Sequence, residues 1–134
     1  MAQQLNPYIT FDGDCAEAME FYAAALRGTV QQMSFRDAGM DVDGVMHAAL
    51  QTPTGFHLYA SDTAEGMWDL TKGNNVQVSL SGDEGEALRG YWEALSDGAQ
   101  IVMPLERQMW GDDYGLLIDR FGILWHVNIA GSAA

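Results

Sequence analysis

The sequence predicts an α+β fold of two tandem βαβββ modules, whose strands form a cupped mixed sheet with the helices outside. Three observations predict it. Two amphipathic helices are predicted about 70 positions apart in the chain. Each helix follows one strand-like run and is followed by three more strand-like runs. A length of 134 residues with 48% apolar content is typical of a single domain. The matching apolar positions are Ala18, Tyr22 and Leu26 in the first helix and Ala87, Tyr91 and Leu95 in the second. A duplicated unit explains why the order and spacing of the elements agree in both halves.

The first module is expected over about residues 5–61. Its helix, residues 15–26, has apolar side chains at helical spacing, with Asp14 as its N-cap and Gly28 near its end. Residues 52–55, Thr-Pro-Thr-Gly, are a hairpin turn signal between two apolar runs. The strands of this module are expected at residues 7–11, 29–35, 44–51 and 56–61.

A linker is expected over residues 62–73, which lack clear periodicity, and the second module over about residues 74–130. Asp83 is expected to cap a helix of about residues 84–96. Pro104 should close the strand before it, because proline cannot donate to a strand ladder. The strands of this module are expected at residues 75–80, 99–103, 114–118 and 123–129.

Alternation along the strands assigns their side chains to two faces. The apolar face, which should meet the helices, carries Phe56, Leu58 and Ala60, then Val76, Val78 and Leu80, and then Ile123, Trp125, Val127 and Ile129. The other face carries His57, Tyr59 and Ser61, then Asn75, Gln77 and Ser79, and then Leu124, His126 and Asn128. Because these strands lack Lys and Glu, this polar face favours a neutral concave pocket for a small molecule. The alternative is a solvated sheet face or a dimer contact.

The charge balance disfavours several functions. Six Lys and Arg against 19 Asp and Glu give a net charge of −13, which repels nucleic-acid phosphates and anionic membranes. The single Cys15 excludes an internal disulfide framework, and no apolar run approaches the ~20 residues that a bilayer span needs. We therefore expect a soluble cytoplasmic protein without a nucleic-acid or membrane partner. The sequence also has no glycine-rich phosphate loop, G-x-S-x-G elbow or H-E-x-x-H motif.

Five segments within residues 7–129 carry a recognisable pattern. They are Phe11-Asp-Gly-Asp-Cys-Ala-Glu-Ala-Met-Glu-Phe-Tyr22, Met46-His-Ala-Ala-Leu50, Leu58-Tyr-Ala-Ser-Asp62, Met103-Pro-Leu105 and Trp110-Gly-Asp-Asp-Tyr-Gly-Leu-Leu-Ile-Asp-Arg-Phe-Gly-Ile-Leu-Trp125. Together they resemble the PhnB-like branch of the vicinal oxygen chelate superfamily, which includes glyoxalase I, extradiol dioxygenases, and bleomycin and fosfomycin resistance proteins. The resemblance implies the glyoxalase/bleomycin-resistance fold, a small-molecule partner and a homodimer. It leaves the reaction open, because one fold can host many chemistries.

The resemblance also implies where a metal would lie. The superfamily's metalloenzymes place one ligand on the first and one on the last strand of each half, and here these positions fall near Pro7, Tyr59, Asn75 and His126. Only His126 is a good ligand for zinc, nickel or iron. We therefore expect no cofactor, and a divalent metal at His126 is the alternative, provided that His47 or His57 points inward beside it.

His126 is the principal candidate for catalysis, as a general base, a hydrogen-bond donor or a lone metal ligand, with Tyr59 as an oxyanion partner. The alternative is a core histidine whose hydrogen bonds Asn128 or Tyr59 satisfies. The candidates for ligand binding are His47, His57, Asn75, Gln77, Trp110 and Asn128.

Structural roles compete with these assignments. His47 could make only a structural hydrogen bond, and Trp110 could close the end of the sheet rather than stack on a ligand. Asp119 and Arg120 are typical of a structural turn, with an ion pair at Arg120. Cys15 lies among alanines and is interpreted as a packed small residue rather than a nucleophile.

Three functions follow from these observations. The first is binding of a small molecule in the concave sheet cavity, with no reaction assigned. The alternatives are a metal-dependent lyase, isomerase or dioxygenase of the glyoxalase type, and a non-catalytic dimeric scaffold. Methyltransferase activity is disfavoured, because no segment resembles a glycine loop for S-adenosylmethionine.

Overall fold

A computed structural model describes residues 3–64, 66 and 68–131. The chain divides into two compact units, Met1–Lys72 and Gly73–Ala134. Each unit contains one helix and one four-stranded mixed sheet, in the order strand, helix and three strands. The predicted pair of βαβββ modules is therefore confirmed.

In the first unit, the sheet has the strand order β1-β4-β3-β2. The strands β1 and β4 run parallel, and the other two pairs are antiparallel. The elements are β1 (Tyr8–Phe11), α1 (Cys15–Leu26), β2 (Thr29–Ser34), β3 (Val45–Gln51) and β4 (His57–Asp62).

In the second unit, the sheet has the equivalent order β5-β8-β7-β6, with β5 and β8 parallel. The elements are β5 (Val78–Gly82), α2 (Gly85–Leu95), β6 (Gln100–Arg107), β7 (Asp113–Ile118) and β8 (Leu124–Ile129). No helix in the described part of the chain combines the length and the apolar character that a membrane crossing requires.

Each helix covers one face of the sheet in its own unit. Helix α1 packs on β2, β3 and β4, and α2 packs on β5 and β8. The helix residues buried in these contacts include Cys15, Ala18, Met19, Tyr22, Ala25 and Leu26 in α1, and Leu88, Tyr91 and Leu95 in α2. Burial of these apolar side chains, at roughly 25 cal/mol per Å², is the main stabilising contribution of each unit.

Two expected boundaries are wrong. Pro104 does not close a strand, since β6 runs through it to Arg107. The reason is that β6 is an edge strand whose register against β7 shifts between Met103 and Glu106, so no ladder partner is lost at the proline. Strand β5 begins at Val78 rather than at residue 75, and Val76, expected on the apolar face, is 86% exposed.

The N-cap residue of α1 is the expected one, and that of α2 is not. Asp14 occupies the N-cap position of α1 but makes no side-chain capping bond. The residue before α2 is Glu84 rather than Asp83, and it makes no such bond either. The end of α1 is stabilised instead by Arg27 in the left-handed conformation, which leads the chain into β2.

A buried carboxylate replaces the missing cap of α1. The Asp62 side chain, at the end of β4, accepts hydrogen bonds from the backbone N–H groups of Gly13 (2.8 Å), Cys15 (3.0 Å) and Val45 (2.8 Å). It therefore ties the start of the helix and the start of β3 to the end of β4.

A second buried carboxylate, Asp119, fixes the turn between β7 and β8. It accepts hydrogen bonds from the backbone of Phe121 and Ile123 and from the indole N–H of Trp125 (2.8 Å). Arg120 forms an ion pair with Asp97. The structural interpretation of this turn is confirmed.

Candidate functional site

The strand register defines the polar face of each sheet. In the first unit, the parallel pairing places Tyr8 directly beside Tyr59. In the second unit, it places Ser79 directly beside His126. The positions beside Tyr59 and His126 are therefore Tyr8 and Ser79, and not Pro7 and Asn75 as the resemblance implied.

His126 is half-buried on the polar face of β8 and is hydrogen-bonded through both ring nitrogens. Its Nδ1 lies 2.6 Å from the hydroxyl oxygen of Tyr114, and its Nε2 contacts Oε1 of Gln77. The side-chain nitrogen of Gln77 in turn donates to the carbonyl oxygen of Asn74 at 3.0 Å. These groups form one continuous chain of hydrogen bonds, which we call the His126 chain (Asn74, Gln77, His126 and Tyr114).

Sequence reasoning did not select Tyr114. Its neighbour directly across the ladder is Asn128, whereas the residue opposite His126 is Leu116. Tyr114 therefore reaches His126 along the diagonal between the two strands, a distance that an aromatic side chain can span. The signal that could have revealed it was the alternation of β7, once the turn over residues 119–122 had fixed the register of the hairpin.

Trp110 lies in the turn before β7 and is 58% exposed. Its ring centroid is 6.1 Å from that of Tyr114, with an interplanar angle of 55°. An exposed indole beside a hydrogen-bonded phenol leaves an open ring surface at one end of the His126 chain.

Asn128 has a partner of its own. Its Nδ2 donates to Asp112 at 3.0 Å, and the other oxygen of Asp112 accepts from the backbone N–H of Gly131. These two hydrogen bonds lower the pKa of Asp112 below its ordinary value, and the bond from Asn128 has the larger effect. Asn128 thus holds the loop before β7 and is not a partner of His126.

Asp113 forms a two-arginine ion pair. Its carboxylate accepts from Nε of Arg107 at 2.9 Å and from the guanidinium of Arg89 on α2. The hydrogen bond from Arg107 is the main cause that lowers the pKa of Asp113. Both cations are thereby engaged, and no described Lys or Arg bonds to the His126 chain.

In the first unit, three rings gather on the polar face. The ring centroids of His47 and Tyr59 lie 5.3 Å apart, and that of Tyr8 lies 5.9 Å from His47 and 6.5 Å from Tyr59. Gln4 donates a hydrogen bond to the Tyr59 hydroxyl at 2.6 Å. His57 stands apart at the start of β4, opposite Gln51. The structure therefore brings together His47 and Tyr59 but does not bring His57 into their cluster.

The described side chains do not fit a catalytic divalent metal. The positions that correspond to metal ligands in the superfamily's metalloenzymes lie on the first and last strand of each unit. They are occupied by Tyr8, Tyr59, Ser79 and His126, of which only His126 has an imidazole. No group of three or more His, Cys, Asp and Glu residues suited to a metal ion occurs in the described part of the chain. Both nitrogens of His126 are also engaged. Zinc, nickel and iron sites require several matched nitrogen, sulfur or carboxylate donors.

Two clefts lie apart from these groups. The larger one, about 680 Å³, is lined by Asp12, Thr63, Ala64, Gly66, Trp68, Asp69 and Leu70. The other, about 310 Å³, surrounds the turn that follows α1. Both are open, and neither is lined by any of the predicted site residues. Asn75 is exposed in the turn before β5.

Residues 4–127 match the Glyoxalase/Bleomycin resistance protein/Dioxygenase superfamily. The chain belongs to this superfamily. The fold resemblance inferred from the sequence is therefore confirmed for nearly the whole chain.

The chain is similar to solved structures that have this fold and to a relative compared by sequence. The crystal structure of protein PA1353 from Pseudomonas aeruginosa has a TM-score of 0.86 at 32% identity, covering 98% of this chain and 100% of that one. The PhnB protein from Bacillus cereus has a TM-score of 0.77 at 21% identity, covering 96% and 100%. An uncharacterized protein of Mycobacterium tuberculosis (strain H37Rv) is 33% identical over 131 residues, covering 92% of this chain and 72% of the relative.

Proposed function

We propose that this superfamily member binds a small, uncharged, ring-bearing molecule on the polar face of its second sheet. The observation that supports this most is the His126 chain, in which a half-buried imidazole is hydrogen-bonded on both sides. Its member Tyr114 lies beside the exposed ring of Trp110. Ligand sites typically combine a few positioned polar groups with aromatic surface. This arrangement offers both within the β7–β8 hairpin, the turn before β7 and the segment before β5.

The chemistry of the face supports an uncharged ligand. Direct neighbours of His126 are Ser79 on β5 and Leu116 on β7, and neither carries a charge. The exposed Glu106 on β6, which lies opposite Tyr114, would repel an anion. The net charge of −13 also disfavours an anionic ligand, which no described cation on this face would neutralise. Binding without metal chemistry is favoured over a metal-dependent enzyme, because the donor set described above does not fit a metal.

A thermal-shift screen with a library of neutral one- and two-ring compounds tests this function, with hits confirmed by titration calorimetry. A ligand present at 100 times its Kd should stabilise the native protein by about 2.7 kcal/mol. We expect Trp110→Ala to weaken the confirmed hits at least about tenfold, and His126→Ala to weaken them by about fivefold, the value of one net hydrogen bond. Trp68→Ala is the matched control, since Trp68 is also a largely exposed tryptophan (49%, against 58% for Trp110) and lies in the larger cleft of the first unit.

Two results would contradict the proposal. If the hits lose affinity in Trp68→Ala and keep it in the other two variants, the ligand occupies the cleft of the first unit. If no compound shifts the melting temperature, the His126 chain is a structural network and the binding function is wrong.

We also propose that the chain forms a homodimer, as the superfamily resemblance implies. Edge strand β6 supports this, because Ile101, Val102 and Met103 are exposed on it by 42%, 46% and 38%. Exposed apolar patches of this kind commonly mark protein interfaces. Multi-angle light scattering should give twice the mass of the 14.7 kDa chain, and the variant Val102→Glu should have the mass of a single chain. A monomeric wild-type chain would contradict the proposal.

A further inference from the structure

The direction of every hydrogen bond in the His126 chain can be assigned from donors and acceptors. The side-chain nitrogen of Gln77 donates to the carbonyl oxygen of Asn74 at 3.0 Å, which fixes the orientation of the Gln77 amide. The oxygen Oε1 of Gln77 must then face His126. An amide oxygen only accepts, so Nε2 of His126 carries a proton and donates it to Gln77.

This assignment determines the role of Tyr114. In a neutral imidazole with its proton on Nε2, the other nitrogen, Nδ1, is an acceptor. The partner of Nδ1 is the Tyr114 hydroxyl at 2.6 Å. The hydroxyl proton of Tyr114 is therefore directed at His126, and only the lone pairs of the phenol oxygen remain for another molecule.

The neighbouring ring sets the shape that such a molecule would have. Trp110 lies beside the Tyr114 ring at 6.1 Å and is more than half exposed. A planar ligand stacked on Trp110 would bring an edge group towards the phenol oxygen. An edge group that accepts hydrogen bonds would meet only lone pairs there, whereas an N–H or O–H group would gain a bond.

We infer that the site selects planar ligands carrying a hydrogen-bond donor, and that Tyr114 is the residue that determines this preference by accepting the bond. This inference rests on the proposed function and specifies its ligand class. It assigns His126 a positioning role, since the imidazole acts on the ligand only by orienting the hydroxyl of Tyr114.

Indole and benzofuran are suitable probes, because they have nearly the same shape. Indole has a ring N–H group that donates a hydrogen bond, whereas benzofuran has a ring oxygen that can only accept one. One net hydrogen bond changes affinity by about fivefold. We expect indole to bind the wild-type protein at least about fivefold more tightly than benzofuran, by ligand-observed NMR titration. The variant Gln77→Met removes the acceptor that holds the proton on Nε2, so both tautomers become accessible and the ratio should fall towards one. Trp68→Ala should leave the ratio unchanged.

The tautomer can be measured without any ligand. Two-bond ¹⁵N–¹H correlation spectra of the histidine ring should show the Nε2–H tautomer for neutral His126 in the wild-type protein and a mixture in Gln77→Met. An Nδ1–H tautomer would overturn the inference directly. Equal binding of indole and benzofuran, lost together in Trp110→Ala, would also overturn it while leaving the binding function intact. If neither probe nor any library compound binds, the proposed function fails, and the ligand preference fails with it.

Discussion

The buried carboxylate of Asp62 gives the sharpest prediction for stability. Its side chain is 2% exposed and accepts three backbone hydrogen bonds, two on Oδ1 and one, from Val45, on Oδ2. The variant Asp62→Asn keeps one oxygen, which can still serve Gly13 and Cys15. The new amide N–H group then faces the backbone N–H of Val45, so one hydrogen bond is lost and a buried donor has no acceptor. Such a change costs about 1–3 kcal/mol.

The more severe variant, Asp62→Ala, removes both acceptor oxygens and with them all three hydrogen bonds. It should cost about 3–5 kcal/mol, since each buried donor loses its partner. Urea denaturation followed by circular dichroism measures both, with Asp12→Asn as the control because Asp12 is exposed in the same turn. A fall of less than about 0.5 kcal/mol for Asp62→Ala would refute the reasoning, since surface substitutions are usually within that range.

Three further predictions concern other buried or bonded groups. Burial, reinforced by the charge of nearby Asp62, raises the pKa of the Cys15 thiol to about 12. A disulfide reagent at pH 8 should therefore react with the native protein at least about a hundredfold more slowly than with the urea-unfolded chain. In Gly115→Ala, the new Cβ would lie 2.7 Å from the Trp92 ring, and the overpacking should lower the free energy of unfolding by about 1–3 kcal/mol in the same urea titration. Because the pKa of Asp112 is lowered in the native state, its ionised carboxylate stabilises that state at neutral pH, and this stabilisation is lost as the pH falls below about 4. The variant Asp112→Asn should therefore flatten the acid side of the curve of unfolding free energy against pH. An unchanged curve would contradict the lowered pKa of Asp112.

Helical periodicity made the architecture predictable. The spacing of Ala18, Tyr22 and Leu26 repeats in the second half, and the observed α1 has the expected bounds. The alternation of β8 also held, with Trp125 and Val127 buried and His126 on the opposite face. These signals are local, because a helix or strand must bury one face whatever its neighbours are.

The contacts of the site were less predictable. His126 was selected from the sequence, but its partners were expected to be Asn128 or Tyr59, and the structure pairs it with Tyr114 and Gln77. The bond to Tyr114 depends on the diagonal geometry of a hairpin, and that to Gln77 depends on the path of the chain before β5 begins. Neither can be inferred from alternation alone, since the first requires the register of the β7–β8 hairpin and the second requires the register between β5 and β8, which are distant in sequence.

Pro104 in β6 affects whether further chains can add to this edge strand and form fibres. An open edge strand with exposed Ile101, Val102 and Met103 is a template on which further chains could add by backbone hydrogen bonding, as in amyloid. Proline offers no N–H group to an incoming strand, and the register shifts on either side of Met103 interrupt a continuous zipper. Pro104 therefore limits the addition of further strands at this edge, so that the exposed apolar side chains can serve the proposed dimer contact without seeding fibres.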